Sequence, residues 1–516
     1  MTPSSDLFDL IKSLSRKEKI HFKLFSNSRF SDKERDYIKL FEAIDGQSEY
    51  DEKKIKERFK NEAFIKRFAI VKNYLYNMIL ESVRVYNTEV TAHRKLKLML
   101  DDIQFLFEKG LYSQCEKLIF KGKEIAKKHE SHLLLLDLLS WQYNLIREQG
   151  YQGKTENDME KILDEEFNAL DQHRIIREYQ FLLSKIFIKY LQKMYPRSKH
   201  DVSSYQDIMK NDLLAGKGKT SSYQALRNFY HCHKMYSTIK NDLKNGLAYS
   251  EKIVELAAGN PHQITEHPNE YVAALYNLSG SFLICKKYDE CMLAIQKLKA
   301  LKLDVKSERL KNHIFYLAST KEMELYISTG EFVQGVRLIT EIQQELDSKG
   351  FKVLYKGRHM ELHYAFAYIC FGSGNYSFAN KYLSKIANEI TDLRSDLYCM
   401  AKIMLLIIHF ELGHEDYLEY ITKSTHRYLL KKDRFYKFED CVVSFMRLQL
   451  PHIIHDNKKL SEAFIALKTE LEEITRDNFE KQALEYFDII SWLRSKIENR
   501  PFAAIVKEKA KQVSPS

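Results

Sequence analysis

Apolar side chains recur at steps of three and four along almost the whole chain, the period of a helix with one buried stripe. The clearest early stripe is Phe64, Phe68, Val71, Leu75, Met78 and Ser82, which predicts a long amphipathic helix closing a first region of residues 1–88. Two capping boxes, Ser15 with Glu18 and Ser31 with Glu34, mark helix starts in that region, because hydroxyl and carboxylate each satisfy a free backbone N–H. With 7 prolines and 17 glycines in 516 residues, few turn signals remain to build a sheet. The intervals between them fit helices of about fifteen to twenty residues. The pattern predicts an all-α chain.

From about residue 89 the stripes come in pairs joined by tight turns, and the turns repeat. Tyr288 with Cys291, Phe332 with Gly335 and Tyr376 with Ala379 place an aromatic at the turn and a small residue three later, 44 residues apart each time. Leu243 with Gly246 lies 45 residues before Tyr288, and Tyr112 with Cys115 lies 131 before Leu243, a gap that would hold two weaker repeats. Leu412-Gly413-His414 starts a further turn, helices over 435–455, 459–476 and 479–497 continue the array, and Arg500-Pro501 ends it. Residues 499–516 read as a tail, frayed from 502 onward. Where two antiparallel helices cross near their turn, a bulky side chain needs a small residue opposite it. One such pair cannot bury its apolar faces alone, so neighbours must stack.

Residues 272–298 resemble a tetratricopeptide repeat, with Leu275, Leu278, Ser279, Phe282, Tyr288, Cys291, Ile295 and Leu298 at that motif's large and small core positions. Residues 360–386 are similar through Phe366, Ala367, Gly374, Tyr376, Ala379, Leu383 and Ile386. The period near 44 departs from the motif's usual 34 residues, so helices or links must be longer. The resemblance implies a right-handed superhelical solenoid of antiparallel helix pairs over 89–498, preceded by a small N-terminal helical domain. In such arrays the first helix of each pair lines the concave surface and meets the ligand. Carried over, those positions hold Tyr276 and Leu283 in one repeat, and Glu361, Tyr364, Tyr368 and Phe371 in the other. Longer helices could instead rotate the tyrosines into packing between repeats.

Composition narrows the setting without naming a partner. A formal charge of +10 drawn from 81 basic and 71 acidic side chains is a thin excess spread along the chain, and alone implies no nucleic acid. Seven cysteines form no C-x-x-C and lie within helical patterns, which fits small core residues in a reducing compartment. The longest apolar stretches, 133–139 and 400–410, fall short of the ~20 residues a bilayer needs, and no secretory signal opens the chain. A cytoplasmic protein with no membrane contact is expected.

No catalytic constellation emerges, and no cofactor or metal is implied. Gly218-Lys219-Thr220 ends like a phosphate-binding loop, but Leu213 stands where its first glycine should be and a helix precedes it, so a polar loop is expected. His359 and His363 have zinc-ligand spacing, but the general-base glutamate of H-E-x-x-H is absent and His363 falls on a core-facing position. His231 and His233 flank Cys232 and point about 100° apart per residue along a helix, which prevents convergence on one ion. His452 and His455 have near-helical spacing, but no third ligand follows them except Asp456.

A protein- or peptide-binding scaffold or regulatory adaptor is therefore the leading expectation. A second surface is the run from His426 to Lys437, where Arg427, Lys431, Lys432, Arg434 and Lys437 mix with aromatics as a patch for an anionic partner; a helix end followed by a polar turn is the alternative there. The minor alternative for the whole chain is a peptide-responsive transcription regulator. In that reading the helix of Asp51 to Lys60 turns Ile55 and Phe59 inward and offers Lys53, Lys56 and Lys60 to DNA, against a capping or docking role.

Overall fold

The structure is a computed structural model and describes residues 5–29, 36–86, 91–193, 199–216, 222–301, 308–349, 356–387, 395–431 and 436–513. Among them every regular element is a helix and none is a strand. The chain divides into two compact units, Met1–Met99 and Leu100–Ser516.

The first unit holds α1 (Asp6–Ser13), α2 (Arg16–Arg29), α3 (Asp36–Asp45), α4 (Glu52–Arg58) and α5 (Phe68–Tyr86). The box at Ser15 is reciprocal, with the Ser15 N–H donating to Glu18 at 2.7 Å and the Glu18 N–H to the Ser15 hydroxyl at 3.3 Å. The box at Ser31 lies outside the described residues. The stripe from Phe64 to Ser82 is buried throughout, although α5 begins only at Phe68, after a 3-10 turn over Ala63–Arg67. It packs with Leu7, Ile11, Phe22, Leu40, Phe41 and Ile44 into one core.

Glu52 ties the rim of this unit, accepting from Lys56 at 2.8 Å, Lys72 at 2.9 Å and Tyr50 at 3.0 Å. Burial alone would raise its pKa, but the three hydrogen bonds outweigh it and leave the carboxyl at about 2 against 4.5. A carboxyl whose pKa falls on folding stabilises the fold above its unfolded value, and that contribution is lost as pH drops from about 4.5 through about 2. Glu52→Gln should therefore cost roughly 1–3 kcal/mol at pH 7 and little at pH 2. Hydrogen exchange at the α5 amides checks this.

In the second unit α6 (Ala92–Glu108), which spans the boundary, is followed by α7 (Tyr112–Lys128), α8 (His132–Glu148), α9 (Glu156–Lys193), α10 (Lys199–Met209), α11 (Tyr223–Ile239), α12 (Leu243–Ala258) and α13 (Pro261–Glu266). Then come α14 (Pro268–Ile284), α15 (Tyr288–Lys299), α16 (Glu308–Thr329), α17 (Phe332–Lys349), α18 (Lys356–Gly372), α19 (Tyr376–Ala387), α20 (Ser395–Glu411) and α21 (Glu415–Lys431). The end of the chain forms α22 (Lys437–Ser444), α23 (Leu450–Ile453), α24 (Asn457–Ile474), α25 (Asn478–Lys481), α26 (Ile489–Ile497) and α27 (Phe502–Val513). Neighbouring helices pack in pairs, and α14, α16 and α18 also touch in succession. The gap that was expected to hold two weak repeats includes instead α9, a single helix of 38 residues.

The repeating turn has a backbone cause. Asn241, Lys286, Gly330, Gly374 and Gly413 all have positive φ, between 58° and 80°. After each, an N–H reaches back five residues: Lys287 to the Phe282 carbonyl at 2.9 Å, Glu331 to Tyr326 at 2.9 Å and Asn375 to Cys370 at 2.8 Å. This is the Schellman closure, which satisfies carbonyls that a helix end leaves free. Its recurrence stops the first helix of each pair and reverses the chain.

The small residues work differently from expectation. Gly335 faces Ile369 of the next pair, where an added Cβ would stand 2.8 Å from a methyl carbon, while the Phe332 ring lies against Gly372 at the end of α18. A Cβ on Gly372 would meet that ring at 2.3 Å, and Phe332 is buried. Gly372→Ala should gain about 1 kcal/mol of helix propensity yet lose about 1–3 kcal/mol to overpacking. A net fall in the denaturation midpoint is expected in a guanidinium titration.

The C-terminal stretch is not a frayed tail. Phe502, Ile505, Val506 and Ala510 of α27 are buried, and Phe502 and Val506 belong to a single apolar cluster that begins at Leu247. α27 packs on α16 as well as α26, because its apolar stripe has the α16 turn and the rings beside it to cover.

Candidate ligand-binding site

The residues expected to line a groove separate into two groups. Tyr364, Tyr368 and Phe371 on α18 are 7%, 6% and 1% exposed, which corrects the expectation that they meet a partner. The chain's own C-terminal segment covers them. The Tyr364 hydroxyl donates to the Tyr486 carbonyl at 3.1 Å, and the Asp488 N–H donates to the Tyr368 hydroxyl at 3.1 Å. Phe487 and Phe502 stand 5.0–5.4 Å from the Phe371 ring. Burial, with the Asp488 carboxylate nearby, holds the Tyr368 phenol well above its ordinary pKa. Glu361 on the same helix is half-buried.

On α14, Tyr276 and Leu283 are half-buried. Leu283 packs on a small cluster of Cys291, Ile295 and Leu325. Tyr276 opens onto a set of charged groups that sequence reading missed. Lys321 of α16, only 6% exposed, holds its ammonium 4.6 Å from the Tyr276 ring centre and pairs with Glu324. The ammonium fits because residue 280 is glycine: a Cβ there would lie 3.3 Å from it.

From α11, Arg227, His231 and Lys234 follow at i, i+4 and i+7, which puts them on one helix face. The opposite face of α11 is fixed in a core through Ala225, Cys232 and Ile239. Glu130, in the turn before α8, seats the start of α11 by accepting from the N–H groups of Tyr223 at 2.6 Å and Gln224 at 3.0 Å. Arg227 pairs with Glu270 of α14. His231 and Lys234 are half-buried, and their side chains have no hydrogen bond or counter-ion among the described residues.

The electrostatics follow from that arrangement. Burial, then the positive charges of Arg227 and Lys234, pull His231 down to about 4. Burial and the Lys321 ammonium lower Lys234 to about 8. For Lys321 burial pulls the same way, but Glu324 and Tyr276 outweigh it and keep the group protonated. Two cations thus have carboxylate partners and one does not. An unpaired, partly desolvated ammonium beside another ammonium is costly, the condition that marks sites built for something else. The signal in the sequence is cations at helical spacing within aromatic surroundings, which by itself does not tell a buried basic face from a solvated one.

The other candidates do not assemble. Cys232 is fully buried, with its thiol pushed up to about 12 by burial, and His233 turns away from His231 to the Leu214 carbonyl at 3.0 Å. His363 stacks on Tyr382 at 6.2 Å, and burial, with Lys385 and His359 nearby, lowers it to about 4. His455 is exposed and lies 3.3 Å from Glu415. Gly218-Lys219-Thr220, Lys432 and Arg434 lie outside the described residues. Arg427, Lys431 and Lys437 are exposed, and Tyr428 packs on Tyr398 at 4.8 Å. In the first unit α4 ends at Arg58, so Lys60 stands beyond it, and Lys56 is paired with Glu52. Among the described residues no helix is long and apolar enough to cross a membrane.

Compared with known proteins, the chain matches no family model and no curated relative.

Proposed function

We propose that this chain is a cytoplasmic protein- or peptide-binding scaffold or regulatory adaptor, built as a right-handed tetratricopeptide-like solenoid. Its contact surface is the inner face of successive first helices. One observation carries the reading: the first-helix face of α18 is filled by residues 486–502 of the same chain, whereas on α11 the half-buried side chains of His231 and Lys234 have no hydrogen bond or counter-ion among the described residues. A chain that uses its own segment to cover one stretch of such a face is suited to accept a foreign segment on the next.

Site-specific photo-crosslinking tests this. A photoreactive residue in place of Tyr276 should crosslink one defined partner in native lysate, and the same residue in place of the 63% exposed Leu293 should not. Equal or greater yield from position 293 would contradict the proposal.

A further inference from the structure

We propose that Arg227, His231, Lys234 and Lys321 form an oxyanion site that takes a phosphate or carboxylate group of the ligand, with Lys234 and His231 meeting it directly. The inference rests on the reading that this face binds a ligand, and adds the chemistry recognised there. Three helices are linked there through α14: Arg227 of α11 pairs with Glu270, and Lys321 of α16 lies against Tyr276 and Gly280, while His231 and Lys234 share the Arg227 face of α11 and the Lys321 charge acts on Lys234. The carboxylates present are already engaged. Glu270 pairs with Arg227 and Glu324 with Lys321, which holds those cations in place and leaves Lys234 and the His231 ring to receive an incoming anion. Half-buried N–H donors give charge-assisted bonds more strength than fully solvated ones do.

Binding must also move protons. An anion beside Lys234 and His231 favours their charged forms, and near pH 8, where free Lys234 is partly deprotonated, Lys234 takes up a proton as the anion binds. The charged groups that act on them are Arg227 on their own helix and Lys321 on α16, with Glu270 of α14 paired to Arg227, and Glu324 and the Tyr276 ring held by Lys321. None of these carboxylates pairs with Lys234 in the free protein. Affinity should therefore weaken as pH rises through about 8, where free Lys234 loses its proton.

The test is calorimetric titration of the full chain at pH 8.5 with inorganic pyrophosphate, with a blocked tetraglutamate peptide and with a blocked tetraglutamine peptide, in buffers of different ionisation enthalpy. Pyrophosphate or tetraglutamate should bind with proton uptake and tetraglutamine should not; which of the two anions binds more tightly tells a phosphate source from a carboxylate source. Lys234→Met should weaken anion binding at least about tenfold and abolish most of the uptake. It should leave the thermal midpoint unchanged or raise it, since it removes an uncompensated charge. No anion binding at ten millimolar, or equal binding by Lys234→Met, overturns the inference. Partner crosslinking from position 276 that survives in Lys234→Met would then show that the general binding reading stands without the oxyanion site.

Discussion

Tyr368→Ala is expected to lower global stability by about 3–5 kcal/mol, the cost of emptying a buried aromatic position. The ring sits among Phe332 at 6.4 Å, Phe487 at 5.1 Å and Phe502 at 6.4 Å, so its removal leaves a cavity between α18 and the C-terminal segment. The hydroxyl adds a separate contribution, since without it the Asp488 N–H loses its acceptor. Tyr368→Phe keeps the ring and should cost only about 1–2 kcal/mol. Guanidinium midpoints of the two variants separate the effects. A Tyr368→Ala chain as stable as the parent would return this residue to a ligand surface.

Truncation after Arg500 should be more damaging still. It removes Phe502, Ile505 and Val506 from the core and bares Phe332, Tyr368, Phe371 and Phe487. At roughly 1.5–3 kcal/mol for each of these three buried side chains, the loss is about 5–9 kcal/mol, comparable with the whole net stability of an ordinary domain. The ion pairs lost with α27, such as Lys507 with Glu331 at 3.1 Å, are partly exposed and add little. Limited proteolysis should reveal early cleavage around 326–332 and 482–497 in the truncated chain. Unchanged proteolysis would mean that α27 is dispensable.

The helices and their pairing were legible because period and turns are local. Tyr288, Phe332 and Tyr376 mark Schellman-closed turns whose backbone the sequence shows through Gly330 and Gly374, though at Lys286 the same conformation is hidden behind a lysine. What the turn residues face was not legible: Phe332 lies on Gly372, forty positions later, and no local pattern announces that contact. The packing of the tail was hidden for a similar reason. Arg500-Pro501 does stop a helix, but nothing nearby says that Phe502 and Val506 rejoin a cluster begun at Leu247. Burial of Tyr364 and Tyr368 also depends on residues 486 and 488, more than a hundred positions away. The basic site is long-range in the same sense. Arg227, His231 and Lys234 share a face by simple helical spacing, but Lys321 joins them only through packing, and its burial against Gly280 has no sequence signature.

Hydrogen–deuterium exchange of the full chain, alone and with the partner recovered by crosslinking, tests the division of labour between these faces most directly. Added protection is expected in 223–239, 268–284 and 308–329, with no change in 356–372, already covered by the chain's own end. Protection appearing in 356–372 or in 426–437, with none in the first three segments, would contradict it.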